Sequence, residues 1–296
     1  MDAFDFSLKK ISELSWVAFD TEATGYSNVS DRIVEVAGVR FHRDKGRWVE
    51  EGVFCELVCP GRPIPELVTK IHGIRDEDVA RADSPLAVLE RFFAFVGDSV
   101  LLAHYAPFDA GVITFAHARE KRRVPSLFIL DTFPLTKGVL PGLPHYSLEA
   151  AVTHIGKAPA VSHRALPDAQ ATHSVFMHCV EKLGDPDTMQ VGSLLEHTGP
   201  PVTFEQFVDL PTELPAKLYA IELAIAEHHD VEIEYRGGSR GPVPRRLTPT
   251  HLFARDGRVF VEGICHIDRS RKSFRIDRII KAEKVAAGSE TSETTS

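Results

Sequence analysis

The apolar run Trp16-Val17-Ala18-Phe19 ends in Asp20-Thr21-Glu22, which puts two carboxylates at the end of a strand that is otherwise built for a core. Side chains at i and i+2 of a strand share one face, so Asp20 and Glu22 can reach one site. Two acids there cannot remain charged and unpaired in an apolar interior. Either the strand end is solvated, or a divalent cation compensates the pair, and Mg²⁺ or Mn²⁺ suits hard oxygen donors. Ala23 follows, and then Thr24-Gly25, where glycine permits either an ordinary turn or a close approach of the backbone to a ligand.

Two further motifs carry acids of the same kind. In His104-Tyr105-Ala106-Pro107-Phe108-Asp109 the acid opens a helix, where the macrodipole alone would stabilise it. Phe108 belongs to the core, and His104 is either a satisfied structural histidine or a functional one. In His163-Arg164-Ala165-Leu166-Pro167-Asp168 the acid sits in the first helical turn beside a proline that such a turn tolerates. His163 lies just outside that helix, on an approach loop beside a carboxylate, an arrangement suited to a general base.

The pattern of elements indicates an α/β domain with a mixed sheet. Trp16 to Asp20, Ile33 to Phe41 and Trp48 to Val58 read as strands of a meander, with a hairpin turn at Asp44-Lys45-Gly46. Helices follow over Pro65 to Ile71, stopped by Gly73, and from Pro85 behind the cap Ser84. Val100 to Ala103 and Phe128 to Asp131 read as strands; Phe108 to Arg123, Ser147 to His154 and Leu166 to Leu183 read as helices. Residues 184–215 are rich in Pro and Gly and read as a linker with one short helix. A second unit, 216–284, begins with a helix from Ala216 to His228. Strands at Val231–Tyr235, Val259–Cys265 and Ser273–Ile276 then suggest a small β-barrel, with Gly237 to Gly241 as a loop. Residues 285–296, which from Ala286 on are mostly Ser, Thr and Glu without an apolar anchor, read as a disordered tail.

Composition narrows the classes. A chain of 296 residues suits two modest domains. No apolar run is long enough to span a membrane, the start lacks the basic and apolar pattern of a signal peptide, and Cys55, Cys59, Cys179 and Cys265 are scattered. The expectation is a protein of the reducing cytoplasm without a structural zinc site or a membrane partner. The net charge of −8 argues against a general nucleic-acid coat. Charge is uneven, however: Lys217 to Lys284 holds 14 Lys and Arg against 10 Asp and Glu, so the remainder carries −12.

Taken together, the three acidic motifs resemble those of the DEDDh exonucleases, the DnaQ-like superfamily that includes polymerase proofreading subunits and RNase T. Ile71-His72-Gly73-Ile74 and Leu130-Asp131-Thr132 are similar to further landmarks, and the resemblance covers residues 13–183. It implies an RNase H-like fold and 3′-to-5′ hydrolysis of a phosphodiester to nucleoside monophosphates. It also implies two divalent ions, Mg²⁺ or Mn²⁺, held by Asp20, Glu22, Asp109 and Asp168, with His163 as the base. Ala23, Thr24, His104, Tyr105 and Phe108 fall where the family meets its substrate. Tyr105 stands where the family usually has Asn, so an amide is replaced by a ring that either stacks on a base or packs on the core.

Residues 216–284 resemble a WYL domain, a small Sm- or SH3-like β-barrel. The resemblance rests on Val231-Glu232-Ile233-Glu234-Tyr235, Arg245-Arg246-Leu247-Thr248-Pro249, Val259 to Cys265 and Phe274-Arg275-Ile276-Asp277-Arg278. Val259-Phe260-Val261 replaces the name-giving Trp-Tyr-Leu. The resemblance implies that Tyr235, Arg246, His266, Arg275 and Arg278 contact a ligand or nucleic acid; the alternative is a basic solvated face. The reading is therefore a metal-dependent DNA exonuclease acting on single-stranded ends, in DNA repair, with a DNA-processing protein as a conceivable partner. Two rivals stay open: an exonuclease of RNA or short oligonucleotides, and a ligand-responsive nucleic-acid-binding regulator.

Overall fold

A computed structural model describes residues 3–157, 163–207, 215–226, 229–237, 243–255 and 258–285. The expected tail, the last residues of the helix expected to reach His228, and most of the Gly237–Gly241 loop lie outside the described residues. The chain divides into two compact units, one of residues 1–25 and 31–208 and one of residues 26–30 and 209–296.

The first unit opens with α1 (Ala3–Leu8). β1 (Ser15–Ala23), β2 (Ile33–Asp44) and β3 (Arg47–Leu57) then form an antiparallel meander. Between β2 and β3, Lys45 has φ 47° and Gly46 has φ 75°. Two consecutive left-handed residues make the mirror-image turn whose twist matches a hairpin. α2 (Glu66–His72) stops at left-handed Gly73, φ 75°, and after α3 (Asp76–Val79) comes α4 (Pro85–Val96), which has proline in its first turn.

β4 (Val100–Ala103) and β5 (Phe128–Asp131) add to β1 in parallel, joined through α5 (Ala106–Arg119). α6 (Thr132–Val139), α7 (Leu148–His154), α8 (Ala165–Leu183) and α9 (Val191–Thr198) follow, and β6 (Val202–Thr203) closes the sheet antiparallel to β5. The strand order is β3-β2-β1-β4-β5-β6. It is a mixed sheet, as the expected RNase H-like fold requires.

Strand alternation decides what each side of β1 meets. Trp16 and Ala18 join the core under α8, where Trp16 lies 4.9 Å from Phe176. Phe19, on the opposite face, packs 5.7 Å from Phe92 of α4. Asp20 and Glu22 share the parity of Trp16 and Ala18, so they emerge on the α8 side at the end of the strand.

Two sequence expectations change. α5 runs from Ala106 to Arg119 rather than Phe108 to Arg123, and the Asp131 carboxylate accepts the Tyr105 N–H at 2.9 Å just ahead of the helix. Of the segment expected to be a linker, residues 184–207 are built into the first unit. Val191 and Leu194 are fully buried in the Trp16 cluster, β6 hydrogen-bonds to β5, and Phe204 and Phe207 are at most 1% exposed. Its Pro and Gly residues mark turns between apolar anchors rather than the absence of a core.

In the second unit, α10 (Tyr219–Ala226) precedes five antiparallel strands. They are β7 (Val231–Tyr235), β8 (Pro244–Arg255), β9 (Arg258–Cys265), β10 (Ser270–Arg275) and β11 (Ile279–Lys284). The order is β10-β9-β8-β7-β11, so the two edge strands are consecutive in the chain. Only the 3₁₀ turn Ile276–Arg278 separates them. A link that short brings opposite edges together only if the sheet curls, which makes this a small half-barrel. Val231, Ile233, Leu247, Leu252, Val261 and Phe274 fill its interior.

Trp16 and Trp48 are the chain's two tryptophans and both lie in the first unit, so their fluorescence reports that unit. Phe204→Ala is expected to destabilise it by about 3–5 kcal/mol, the usual cost of emptying a phenylalanine site. Urea titration read by tryptophan fluorescence checks this; a loss below about 1 kcal/mol would return residues 184–207 to a linker.

Candidate active site

The end of β1, the first turn of α8 and the first turn of α5 bring four acids into one region. Oxygens of Asp20, Glu22 and Asp168 lie within 4.8 Å of one another and keep some exposure to solvent. Asp109 is not part of that cluster and is only 3% exposed. Its Oδ1 accepts the Thr21 N–H at 3.0 Å and the Thr21 hydroxyl at 2.6 Å. Thr21 sits between Asp20 and Glu22, so this contact ties α5 to the acidic end of β1.

The acids hold one another's protons. Burial, then Asp109, Glu22, Asp168 and Glu35, raise Asp20 well above an ordinary carboxyl. Burial, then the charges of Asp168, Glu35 and Asp109, push Glu22 up to about 8. Burial takes Asp109 to about 7 against the pull of its Thr21 hydrogen bonds. Burial also raises Asp168, opposed by the His163 N–H and the nearby His163 charge. A converging set of oxygen donors whose shared negative charge the protein leaves uncompensated fits a hard divalent cation.

His163 is exposed, has φ 65°, and donates its backbone N–H to Asp168 Oδ2 at 3.1 Å. Residues 158–162 before it lie outside the described residues.

One ion pair between a buried acid and a partly exposed arginine supports this corner, and it is not singled out from the sequence. Glu35 of β2 lies directly opposite Glu22 in the β1–β2 register and is 1% exposed. Like charges facing each other across strands repel. Arg164 answers with a two-pronged contact to both Glu35 oxygens, its Nε donating at 3.0 Å, and the Ala165 N–H adds a third bond at 2.9 Å. The pair therefore fastens the start of α8, which carries His163 and Asp168, to the strand beside Glu22. An acid within the apolar run Ile33-Val34-Glu35-Val36 was the available signal. His72 also lies close by, 3% exposed, its Nδ1 accepting the Ile74 N–H at 3.0 Å.

The expected substrate contacts separate. His104 lies inside the fold: one ring nitrogen reaches the Tyr146 carbonyl at 2.9 Å and the other the Thr132 hydroxyl at 3.0 Å. Burial lowers its pKa, and since a carbonyl only accepts, Nε2 carries the proton. Both ring nitrogens are thus engaged within the first unit. Thr24 is 1% exposed, its hydroxyl donates to Asp31 at 2.9 Å and its N–H to the Arg32 carbonyl at 2.8 Å. Those groups hold the turn. Gly25 serves the same turn, since a Cβ there would meet the Asp31 carboxylate at 2.4 Å. Ala23 is 4% exposed and Phe108 is half-buried, whereas Tyr105 is 41% exposed.

In the second unit the expected contacts form two groups. Arg246 donates to Asp230 at 2.6 Å, as does the Thr248 hydroxyl, and His266 Nε2 lies 2.8 Å from that hydroxyl. Tyr235, Arg275 and Arg278 gather at the end of β7. There the Tyr235 hydroxyl accepts the Arg275 N–H at 3.4 Å, and the Arg278 carbonyl accepts the Arg236 N–H at 2.8 Å. Arg246 and Arg275 are each matched by an acid, Asp230 and Asp277, so neither is a bare cation.

Comparison with known proteins agrees with this geometry. Over 179 residues the chain is 36% identical to a DNA polymerase III subunit epsilon-like protein of Rhodobacter capsulatus, covering 58% of this chain and 25% of that protein. Over 163 residues it is 34% identical to a PolC-type DNA polymerase III of Streptococcus suis, covering 55% of this chain and 11% of that protein. The chain thus spans between about a tenth and a quarter of the length of these relatives. Among solved structures, a 3′-exonuclease that recognises the 3′ end of a histone mRNA stem-loop has the same fold. Its TM-score is 0.53 at 16% identity, over 66% of this chain and 97% of that one. Residues 216–284 match the WYL domain. Residues 17–176, more than half of the chain, match the exonuclease family RNase_T, and the chain belongs to that family.

Proposed function

We propose that this protein is a metal-dependent 3′-to-5′ exonuclease of the DEDDh type. It hydrolyses phosphodiesters of DNA, preferring single-stranded ends, and releases nucleoside monophosphates. The observation that carries this reading is the convergence of Asp20, Glu22 and Asp168 within 4.8 Å, with Asp109 fastened beside them through Thr21. DNA is favoured over RNA because the chain is similar, above 30% identity, to a PolC-type DNA polymerase III and to a DNA polymerase III subunit epsilon-like protein.

Asp20, Glu22, Asp109 and Asp168 would hold two divalent ions, Mg²⁺ or Mn²⁺. Such ions supply positive charge to the attacking and leaving oxygens of the phosphate and ease deprotonation of water. His163 takes the proton of the attacking water on its imidazole. Its exposed position lets the ring reach that water and pass the proton on to solvent. Asp168, whose carboxylate is bonded to the His163 backbone, favours the imidazolium that results. Arg164 and Glu35 keep the start of α8 in place while the acids repel.

The second unit supplies a further surface for nucleic acid or a regulating ligand, at Arg246 and His266 or at Tyr235, Arg275 and Arg278. Arginine suits phosphate through its planar fork, once the pairing acids Asp230 and Asp277 yield.

The direct test is a gel assay on end-labelled single-stranded DNA and matching RNA. Stepwise shortening from the 3′ end with Mg²⁺ or Mn²⁺, abolished by EDTA and faster on DNA, is the expected result. Metal-independent or internal cleavage would contradict it.

Removing an acid should have opposite effects on activity and on metal-free stability. Asp20→Asn and Asp168→Asn are each expected to lower kcat by about a thousandfold or more, the scale of losing a charge-stabilising group. Each should also raise the melting temperature measured in EDTA, because one source of repulsion is gone. Wild-type turnover in either variant would refute the assignment.

The carboxyl shifts set a pH dependence of stability. A folded-state pKa above the ordinary value means that stability is fully present below that ordinary value and is lost as pH rises through the folded one. Glu22, ordinarily 4.5, sits at about 8, and Asp109, ordinarily 3.8, at about 7. In EDTA the melting temperature of the first unit should therefore fall between pH 5 and pH 8. Adding Mn²⁺ should restore about 5 °C or more at pH 8 and little at pH 5, where protons compete. Equal metal effects at both pH values, by scanning fluorimetry, would speak against a shared site.

A further inference from the structure

The exposed ring of Tyr105 has an aromatic neighbour and a buried support that catalysis by the acids does not require. Tyr105 is 41% exposed although it heads α5, the helix that carries Asp109. Its backbone is left-handed, φ 70°, a conformation that bulky residues avoid and that is usually kept where it serves a function. The Asp131 carboxylate holds it there, accepting the Tyr105 N–H and the Phe133 N–H, each at 2.9 Å. One acid thus places two aromatic residues from two different helices. Their rings stand at 79° with centroids 6.0 Å apart, and Phe133 is itself partly exposed. Tyr105 caps the helix whose first turn carries Asp109, so the pair adjoins the acidic region.

We infer that Tyr105 and Phe133 form a nucleobase subsite in which one base of the strand being degraded stacks on the Tyr105 ring against the edge set by Phe133. Every base has a π face, so such a contact is sequence-tolerant and selects for unpaired, unstacked ends. A fold-stabilising ring would be expected to be buried, and an amide at position 105 would offer hydrogen bonds but no stacking face. The inference rests on the nuclease reading for its ligand, and binding and turnover are read separately so that the two can fail independently.

The full-length protein is titrated by fluorescence anisotropy, in EDTA, with a single-stranded oligonucleotide whose 3′ end carries either normal bases or tetrahydrofuran abasic residues. Wild type is expected to bind the base-bearing end about tenfold more tightly, the scale of one base–aromatic stack. Tyr105→Gly, which the left-handed backbone accommodates, and Phe133→Ala should bring that ratio near one, while Tyr105→Phe should keep it. Turnover is then measured with Mn²⁺. A ratio of one in wild type, or one that survives both ring deletions, overturns the subsite even if turnover is normal. A ratio that collapses on ring deletion upholds it even if no turnover is found, in which case the nuclease reading fails instead.

Discussion

Repulsion between carboxylates crowded at the end of β1 is the constraint around which the first unit is organised. Asp20, Glu22 and Asp168 converge, Asp109 adjoins them, and Glu35 faces Glu22 across the β1–β2 ladder. Each protein contact in this region answers part of that repulsion. Thr21 binds Asp109, Arg164 and the Ala165 N–H bind Glu35, and the His163 N–H binds Asp168. None of these binds Asp20 or Glu22 directly, and those two retain the raised affinity for protons that a cation would replace. Protons and divalent ions thus compete for one set of oxygens, which links metal affinity, stability and pH.

The same contacts connect elements far apart in the chain. Glu35 and Arg164 are separated by 129 positions, and Thr21 and Asp109 by 88. A site assembled from the ends of β1, α5 and α8 depends on the relative placement of all three, and these bonds fix that placement. Packing adds to it, because Trp16 under α8 and Phe19 under α4 hold β1 from both faces.

Local chemistry made much of this legible in the sequence. The meander follows from alternation plus Lys45-Gly46, whose left-handed backbone only a hairpin turn of this kind demands. α2 and α4 were bounded by Gly73 and Pro85. The acidic motifs pointed to one region because strand parity and helix starts are local properties. What escaped was long-range. The two-residue strand β6 has no periodicity to read, and Phe204 and Phe207 lie among prolines that suggest a linker. The role of Glu35 depends on Arg164, 129 positions away, which no local pattern reveals. Thr24 and His104, placed among substrate contacts by motif position, also bond to Asp31, Tyr146 and Thr132, partners that motif position does not reveal. In the second unit, the prolines and arginines of β8 and the charges of β11 obscured both strands, whereas the strand at Val231–Tyr235 was plain; the helix expected from Ala216 begins as a 3₁₀ turn and becomes α-helical at Tyr219.

The most direct test of the central claim, that these acids form a divalent-cation site, is calorimetric titration of metal-free protein with Mn²⁺ at pH 8. The account predicts saturable binding of two ions per chain in the presence of a nucleoside monophosphate, lost or halved in Asp20→Asn and weakened at pH 5. Absence of saturable binding to the wild type, or binding that Asp20→Asn leaves unchanged, would contradict it.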